Sequence, residues 1–398
     1  MTHDTNIPQG YKATALGIIP QEWEVKSLNK ACDFLDSQRI PIKDSERAKI
    51  SGIYPYYGAS GIIDYVNNYI FNDDLILLAE DGANIINRST PIAFLVNGKI
   101  WVNNHAHVLK AKPSFDRYYL CAYLESLKYD KYNTGTAQPK LNREVCEKIP
   151  VLAPPLAEQR KIAEVLGVWD EAIEKQARLI EKLALRKRAL MQRLLSAKLR
   201  LPGFSEPWKI HKLQELFTER NETNRTDLPL LSITGDRGVI LQTESEKRDT
   251  SNDDKSKYKR IAKGDIGYNT MRMWQGRSAL SGLEGIVSPA YTIVVPNTTD
   301  VDGYYMSVLF KQPRLVYDFW THSQGLVGDT LNCKYRDFGQ VHICCPPLAE
   351  QKAITEVLTA ADREIELAKE KLKRLRRQKR GLMQQLLTGK KRVKYNEL

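Results

Sequence analysis

The sequence predicts an α/β protein in which two globular domains are joined by two long antiparallel helices, an intramolecular coiled coil with pseudo-two-fold symmetry. Three observations lead there: an internal repeat, a heptad pattern on each copy of it, and strand-length apolar runs in the segments that precede each copy.

The repeat is plain. Pro154-Pro155-Leu156-Ala157-Glu158-Gln159 returns as Pro346-Pro347-Leu348-Ala349-Glu350-Gln351. The match runs on through Glu164-Val165-Leu166 and Glu356-Val357-Leu358 to Leu190-Met191-Gln192 and Leu382-Met383-Gln384, each followed by a Leu-Leu pair. Roughly half the positions agree over about 48 residues, far above chance for two helices of similar composition. Upstream the correspondence thins to anchors in the same order: Trp23 to Leu28 with Trp208 to Leu213, Asp116-Arg117-Tyr118-Tyr119 with Asp302-Gly303-Tyr304-Tyr305, and Leu141-Asn142 with Leu331-Asn332. The expected organisation is a first domain over 1–153, a helix over 154–198, a second domain over 199–345, a second helix over 346–390 and a basic tail over 391–398.

Each repeat reads as a seam. Apolar residues step by three and four through Ile162, Leu166, Trp169, Ile173, Ile180, Leu183, Leu190 and Leu194. The second copy gives Ile354, Leu358, Ala361, Ile365, Ala368, Leu372, Leu375, Leu382 and Leu386. A 3.5-residue alternation held over at least four heptads predicts a coiled-coil seam, not a helix dissolving into a globular core. Gln176, Lys187 and Lys379 interrupt it with polar groups of the kind that fix register. Paired prolines suit a helix start, where a missing N–H costs nothing. Glu158 and Glu350 fall in the first turn, favourable beside the positive end of the helix dipole. Leu201-Pro202-Gly203 is the expected stop of the first helix. About 40 residues at 1.5 Å each give roughly 60 Å per helix. Shared register and length make each helix the other's natural partner; the alternative is that each pairs with another protein.

The segments before the repeats read as mixed α/β. Apolar runs at 75–79, 92–96, 100–102 and 106–109, then 230–233, 286–287 and 291–295, alternate with polar loops; aromatic-rich helices follow near 116–128 and 302–311. The loops carry the side-chain types that read base edges: Arg and Lys for guanine, Asn and Gln for adenine. In the first domain the candidates are Tyr57 and Ser60 in the loop Tyr54 to Gly61, Asn84 and Arg88, Asn104 and His105, and Gln138 and Lys140. In the second they are Asn269, Arg272, Trp274, Gln275 and Arg277, then Ser288, His322 and Gln324. Singly each loop reads as an ordinary turn. Together they fall where the two halves differ most, as expected if each half reads a different sequence. His105 and His107 have no Cys or Glu-x-x-His companion nearby and read as structural or DNA-facing, so no metal is expected.

A net charge of +12 favours a polyanionic partner, because Lys and Arg that neutralise phosphates release condensed counterions. The six cysteines form no Cys-x-x-Cys pair, and without a secretory pattern they read as reduced thiols of a cytoplasmic protein. The apolar runs fall far short of the roughly 20 residues that span a bilayer, so no membrane is expected. No phosphate-binding Gly-x-x-x-x-Gly-Lys-Ser/Thr loop, no Gly-x-Gly-x-x-Gly fingerprint and no Asn/Asp-Pro-Pro-aromatic tetrapeptide occurs, and Pro-Asp is nowhere present; catalysis is not expected in this chain.

The alternation of domain and Pro-Pro-Leu-Ala-Glu-Gln helix resembles the specificity (S) subunit of type I restriction-modification systems. Further likeness lies in the Trp-x-Val/Ile-x-x-Leu segments, Gly135 to Leu141, the Leu-Met-Gln-x-Leu-Leu helix ends, Met271 to Gly276, and Gly285 to Tyr291. One departure is Gly325-Leu326-Val327-Gly328-Asp329-Thr330, where the family has a Gly-Thr-x-Gln-Pro version. The resemblance implies two target-recognition domains, each binding one part of a bipartite, asymmetric site in double-stranded DNA, with the helices setting the spacer. It implies two methyltransferase (M) subunits, which carry S-adenosylmethionine and flip adenines for N6 methylation, and motor-nuclease (R) subunits, which use ATP and Mg. No cofactor is then expected in this chain. A self-sufficient DNA methyltransferase and a protein-binding coiled-coil scaffold are the alternatives.

Overall fold

The computed structural model of the chain describes residues 7–136, 138–235, 237–245, 251–325 and 331–395. Two compact units emerge: Met1–Arg178 with Glu370–Leu398, and Leu179–Lys369.

In the first unit the central sheet has the order Cys32–Phe34, Ala106–Ala111, Leu75–Ala79, Ala93–Val96, antiparallel throughout. The run Leu75 to Ala79 is wholly buried, because both faces of its sheet are covered. Alternate residues serve two cores: Ile76 and Leu78 join the cluster around the helix Arg117–Ser126, whereas Leu75 and Leu77 join Phe71, Ile100 and Val102. The second layer is a sheet of order Gly61–Val66, Ser51–Gly58, Lys99–Val102, Phe71–Asn72. Its hairpin corrects one expectation. Most of Tyr54 to Gly61 is strand, not loop, and only the turn at 59–60 separates Ser51–Gly58 from Gly61–Val66. Tyrosines and a mid-strand proline disguise the period.

The second unit repeats the central sheet strand for strand: Phe217–Arg220, Tyr291–Pro296, Ile266–Asn269, Ser278–Leu280. Ile266 and Tyr268 face the helical core, and Gly267 between them faces Ile261 and Ile293. A Cβ there would press on the side-chain ends of Ile233, Ile261 and Ile293, so the close approach of the layers favours glycine. The helix Pro313–His322 went unpredicted. In both units a two-stranded ribbon leads into the long helix, Glu24–Ser27 with Pro150–Ala153 and Lys209–Lys212 with His342–Cys345, in matching register. The short helices are capped alike, Asp116 accepting from Tyr119 N–H and Asp302 from Tyr305 N–H, both at 2.8 Å.

That likeness breaks at one atom. The Tyr119 hydroxyl donates to Leu152 O at 3.0 Å, whereas the buried Tyr305 hydroxyl has no partner among the described residues. Tyr119→Phe is expected to cost about 1 kcal/mol and Tyr305→Phe nothing or a slight gain. Urea unfolding of both variants checks this; equal losses would mean that Tyr305 has a bonding partner.

The long helices span Leu156–Leu194 and Leu348–Leu386. The first ends earlier than Leu201-Pro202-Gly203 suggested. Ala197 adopts the left-handed conformation at φ 56°, as Gly389 does at 71° in the second copy. Leu199 N–H then bonds Arg193 O and Lys391 N–H bonds Gln385 O, six positions back in each copy, so both helices close in the same way through a left-handed residue.

Within each unit the two helices run antiparallel. In the first, Asp170 takes Lys379 and the Tyr118 hydroxyl. In the second, Asp362 takes Lys187 and the Tyr304 hydroxyl, the latter at 2.6 Å, and Arg186 pairs with Glu364. The seam residues divide by depth. Ile162, Leu166 and Leu386 enter the core of the first unit, and Leu194, Ile354 and Leu358 that of the second, so the helix ends do merge with globular cores. Leu183 packs with Ile365, Ala368 and the half-buried Ile180 as a helix–helix cluster proper. Trp169, Ile173, Leu190, Leu372, Leu375 and Leu382 are half-buried. Among the described residues no helix is long and apolar enough to cross a membrane, and all six cysteines are free thiols.

Candidate nucleic-acid interface

The repeated hexapeptide does more than start a helix. Glu158, Gln159, Glu350 and Gln351 are all buried. Gln159 Oε1 accepts from Asp116 N–H at 2.9 Å while its amide donates to Pro154 O at 2.8 Å; Gln351 does the same with Asp302 and Pro346 at 2.9 Å each. Glu158 accepts from Trp23 Nε1 at 2.9 Å and from both Nε and Nη2 of Arg392, at 2.6 and 2.9 Å. Glu350 accepts from Trp208 Nε1 at 3.2 Å and from Arg200 at 2.6 and 2.8 Å. Each domain is thus fastened to the start of one long helix by an arginine that follows the end of the other.

The exposed loops extend from one end of each central sheet. In the first unit that end is marked by the register pair Ala79 and Ala106. Just beyond it, His105 Nδ1 lies 2.8 and 3.0 Å from the two oxygens of Asp81, and Asn103 Oδ1 accepts His105 N–H at 2.8 Å. Gly82 N–H bonds Pro139 O at 3.0 Å and Asp81 bridges Lys140, which brings the segment carrying Gln138 and Lys140 alongside. Ala137 lies outside the described residues. Ser60, Asn84 and His105 share a cleft of about 490 Å³ with Ile62 and Ile63. Asn104 sits exposed in the adjacent turn.

Three candidates have framework partners. Tyr57 is half-buried against Phe94. Asn84 holds its own turn, its Oδ1 accepting from Thr90 N–H at 2.8 Å and its Nδ2 donating to Thr90 O at 3.0 Å. Arg88 reaches Glu125 at 3.0 Å and the backbone carbonyls of Glu125 and Leu127.

The ground beneath these loops is charged and buried. His107 Nδ1 meets Asp36 at 2.7 Å, and its Nε2 donates to Leu141 O at 2.8 Å. Burial alone would lower the His107 pKa, but Asp36 and Cys146 outweigh it and raise it to about 10. Burial likewise works to raise the Asp36 pKa, and is overcome by His107, the Val108 N–H and Arg39, which hold it low. Arg39 also bonds Glu80 and Ala106 O, both at 2.7 Å.

In the second unit the corresponding pair is Asn269 and Tyr291. The turn beyond it is built by Asn269 Oδ1 accepting Met271 N–H at 3.0 Å, by Trp274 Nε1 donating to Met271 O at 3.0 Å, and by Gly276 at φ 70°. It presents Arg272 and Arg277 to a cleft of about 450 Å³ with Asn269, Thr234 and Arg237. Arg272 and Arg277 are exposed and form no ion pair among the described residues. A neighbouring cleft of about 570 Å³ is lined by Thr270, Lys259, Lys334 and Arg336. Gln275 is exposed on the same turn, whereas half-buried Ser288 accepts Ala290 N–H in the next. His322 Nδ1 donates to Asp318 O at a helix end, and Gln324 bridges Asn332. Residues 326–330 of the divergent segment lie outside the described residues. Asp81 opens the loop that carries the candidates Asn84 and Arg88, whereas Arg237, Lys334 and Arg336 went unnamed among the sequence candidates. Only the sheet ends identify them, because no local motif surrounds them.

A family model described as the type I restriction modification DNA specificity domain matches residues 20–184. A type I restriction enzyme specificity subunit of Methanocaldococcus jannaschii is 25% identical over 94% of each chain. A type I specificity subunit of Haemophilus influenzae is 36% identical over 146 residues, and there the match spans 36% of this chain and 37% of that protein. The crystal structure of the S subunit of a type I restriction-modification system from M. genitalium shares the fold at TM-score 0.56 and 13% identity, over 100% of this chain and 99% of that one. Residues 20–184 thus match the DNA specificity domain of type I restriction-modification systems, and the chain as a whole is similar to the specificity subunits of that class.

Proposed function

We propose that the chain is the sequence-specific DNA-binding subunit of a type I restriction-modification complex, reading a bipartite, asymmetric site with one domain per half. The observation that carries this reading is a sheet built twice in the same strand order, whose same end bears unlike polar and basic loops. Phosphate contacts give grip without sequence information, and base-edge contacts specify. Lys259, Lys334 and Arg336 suit the first role, and the clefts suit the second. In this reading the chain is not catalytic. Two M subunits supply S-adenosylmethionine chemistry, and R subunits, with ATP and Mg, cut unmodified DNA.

The long helices set the unread spacer. Inserting one heptad into both adds about 10 Å of helix. Mapping N6-methyladenine in cells that carry the altered chain with its M partner is expected to show both half-sites unchanged and the spacer longer. An unchanged spacer would remove the ruler role.

A further inference from the structure

The duplicated sheet carries an open cleft at the same end in both halves, and the two clefts have opposite chemistry. In the first, Asp81 and His105 follow the Ala79–Ala106 register pair; in the second, Arg272 and Arg277 follow Asn269–Tyr291. An ionised carboxylate only accepts hydrogen bonds, and a guanidinium only donates. Both Asp81 oxygens face His105 Nδ1, so that nitrogen carries a hydrogen, the half-exposed ring orients the carboxylate, and the remaining lone pairs of Asp81 are left as acceptors. No Lys or Arg is among the described residues lining this cleft, and Lys140 beside it turns its ammonium to Glu80 at 3.5 Å. The second cleft has no carboxylate among its described lining residues and three arginines. Of these, only Arg237 has a partner there, the Glu244 carbonyl at 3.2 Å.

Base edges divide along the same line. Guanine offers O6 and N7, both acceptors, to the planar fork of arginine; adenine and cytosine each offer an exocyclic amine, a donor. Resting on the DNA-reading role proposed above, we infer that the second domain reads a guanine through Arg272 and Arg277, and that the first reads an amino-bearing base, adenine or cytosine, through the Asp81 carboxylate that His105 orients. The two half-sites then differ in chemistry because one scaffold end was furnished with donors and the other with acceptors.

The test uses the full chain with its M partner. Methylation mapping of the wild type yields both half-sites. Arg272→Ala and Arg277→Ala are expected to relax a single G·C position in one half, by about 10- to 100-fold in discrimination, and to leave the other half intact. Arg→Lys at either position keeps the charge but loses the fork, and is expected to relax the same position. In duplex binding, 7-deazaguanine at that position removes N7 and is expected to weaken the wild type while leaving the matching alanine variant unmoved. Asp81→Asn is expected to relax one position in the other half and to leave the guanine position of Arg272 and Arg277 intact; an unchanged half-site, or equal loss on every sequence, would remove Asp81 from base reading. Equal loss on every sequence would make the arginines phosphate contacts, and relaxation at a position without guanine would give them another base; either overturns the inference. A wild-type complex that marks no defined site would remove the DNA-reading role itself, a failure visible before any variant is made.

Discussion

Arg392→Ala is expected to cost about 3–5 kcal/mol of unfolding free energy, the range for removing one partner of a buried ion pair. Glu158 is wholly buried, and among the described residues Arg392 gives it two of its three side-chain hydrogen bonds, leaving Trp23 Nε1 when the guanidinium is gone. The cost is the desolvated charge left behind, so neutralising that charge should recover part of it. Arg392→Ala combined with Glu158→Gln is expected to be more stable than Arg392→Ala alone, because an amide can still accept from Trp23. At roughly 2–4 °C per kcal/mol for a unit of this size, calorimetry resolves the difference. Arg392 is itself 31% exposed at the side chain, so the burial that sets the cost lies on the Glu158 side of the pair. A loss below about 1 kcal/mol would class the contact with surface ion pairs. Arg200→Ala should repeat the result through Glu350 in the second unit.

The same contacts show what the sequence could and could not reveal. The Pro-Pro-Leu-Ala-Glu-Gln repeat announces a duplicated helix because proline pairs and heptads are local signals. Burial of its Glu and Gln is not local. A carboxylate in a first turn is adequately explained by the helix dipole, and the arginine that demands its burial lies 234 positions away. In retrospect Arg200 and Arg392 occupy matching places after the repeat, each following a Leu-Leu pair, so the signal was present as a coincidence without a partner. The helix end was hidden differently. Gly389 marks the second stop, but alanine stands at the equivalent position 197, a residue that rarely accepts positive φ.

The sheets show the same division. Wholly apolar runs such as Leu75 to Ala79 declare a strand buried on both faces, and Leu77 and Leu78 serve different cores as alternation requires. Ile266 to Asn269 gives no such sign, since Gly267 replaces the side chain that would complete the run. The interface was legible as residue types in loops. It was not legible as two clefts, because Arg237 enters through strand pairing rather than through neighbours in sequence. Arg88 and Asn84 show the converse: polar residues in a promising loop whose bonds hold the loop itself.

His107→Gln is expected to cost about 3–5 kcal/mol and to flatten the alkaline limb of the stability profile. The imidazole is 1% exposed, and its two nitrogens face a carboxylate and a carbonyl. A carbonyl can only accept, so Nε2 bears a hydrogen; Asp36 is held ionised, so Nδ1 bears the other, and the ring is an imidazolium. Its folded pKa of about 10 stands above the ordinary histidine value of 6.5. Stabilisation from this group is therefore complete below about pH 6.5, declines as pH rises above it, and is gone past about 10. Asp36, shifted downward, acts at the other end: its contribution is present above its unfolded pKa and lost as pH falls through the folded one. Urea unfolding between pH 6.5 and 10 should show wild type losing stability faster than His107→Gln. Equal slopes would mean that the ring is neutral in the folded state. The loss reaches the interface, because Leu141, which accepts from His107, donates its own N–H to Glu80 O at 2.7 Å and closes the segment that carries Gln138 and Lys140. Weakened binding at the half-site of the first domain, with the other half unaffected, is the expected functional mark of a residue that positions readers without touching DNA.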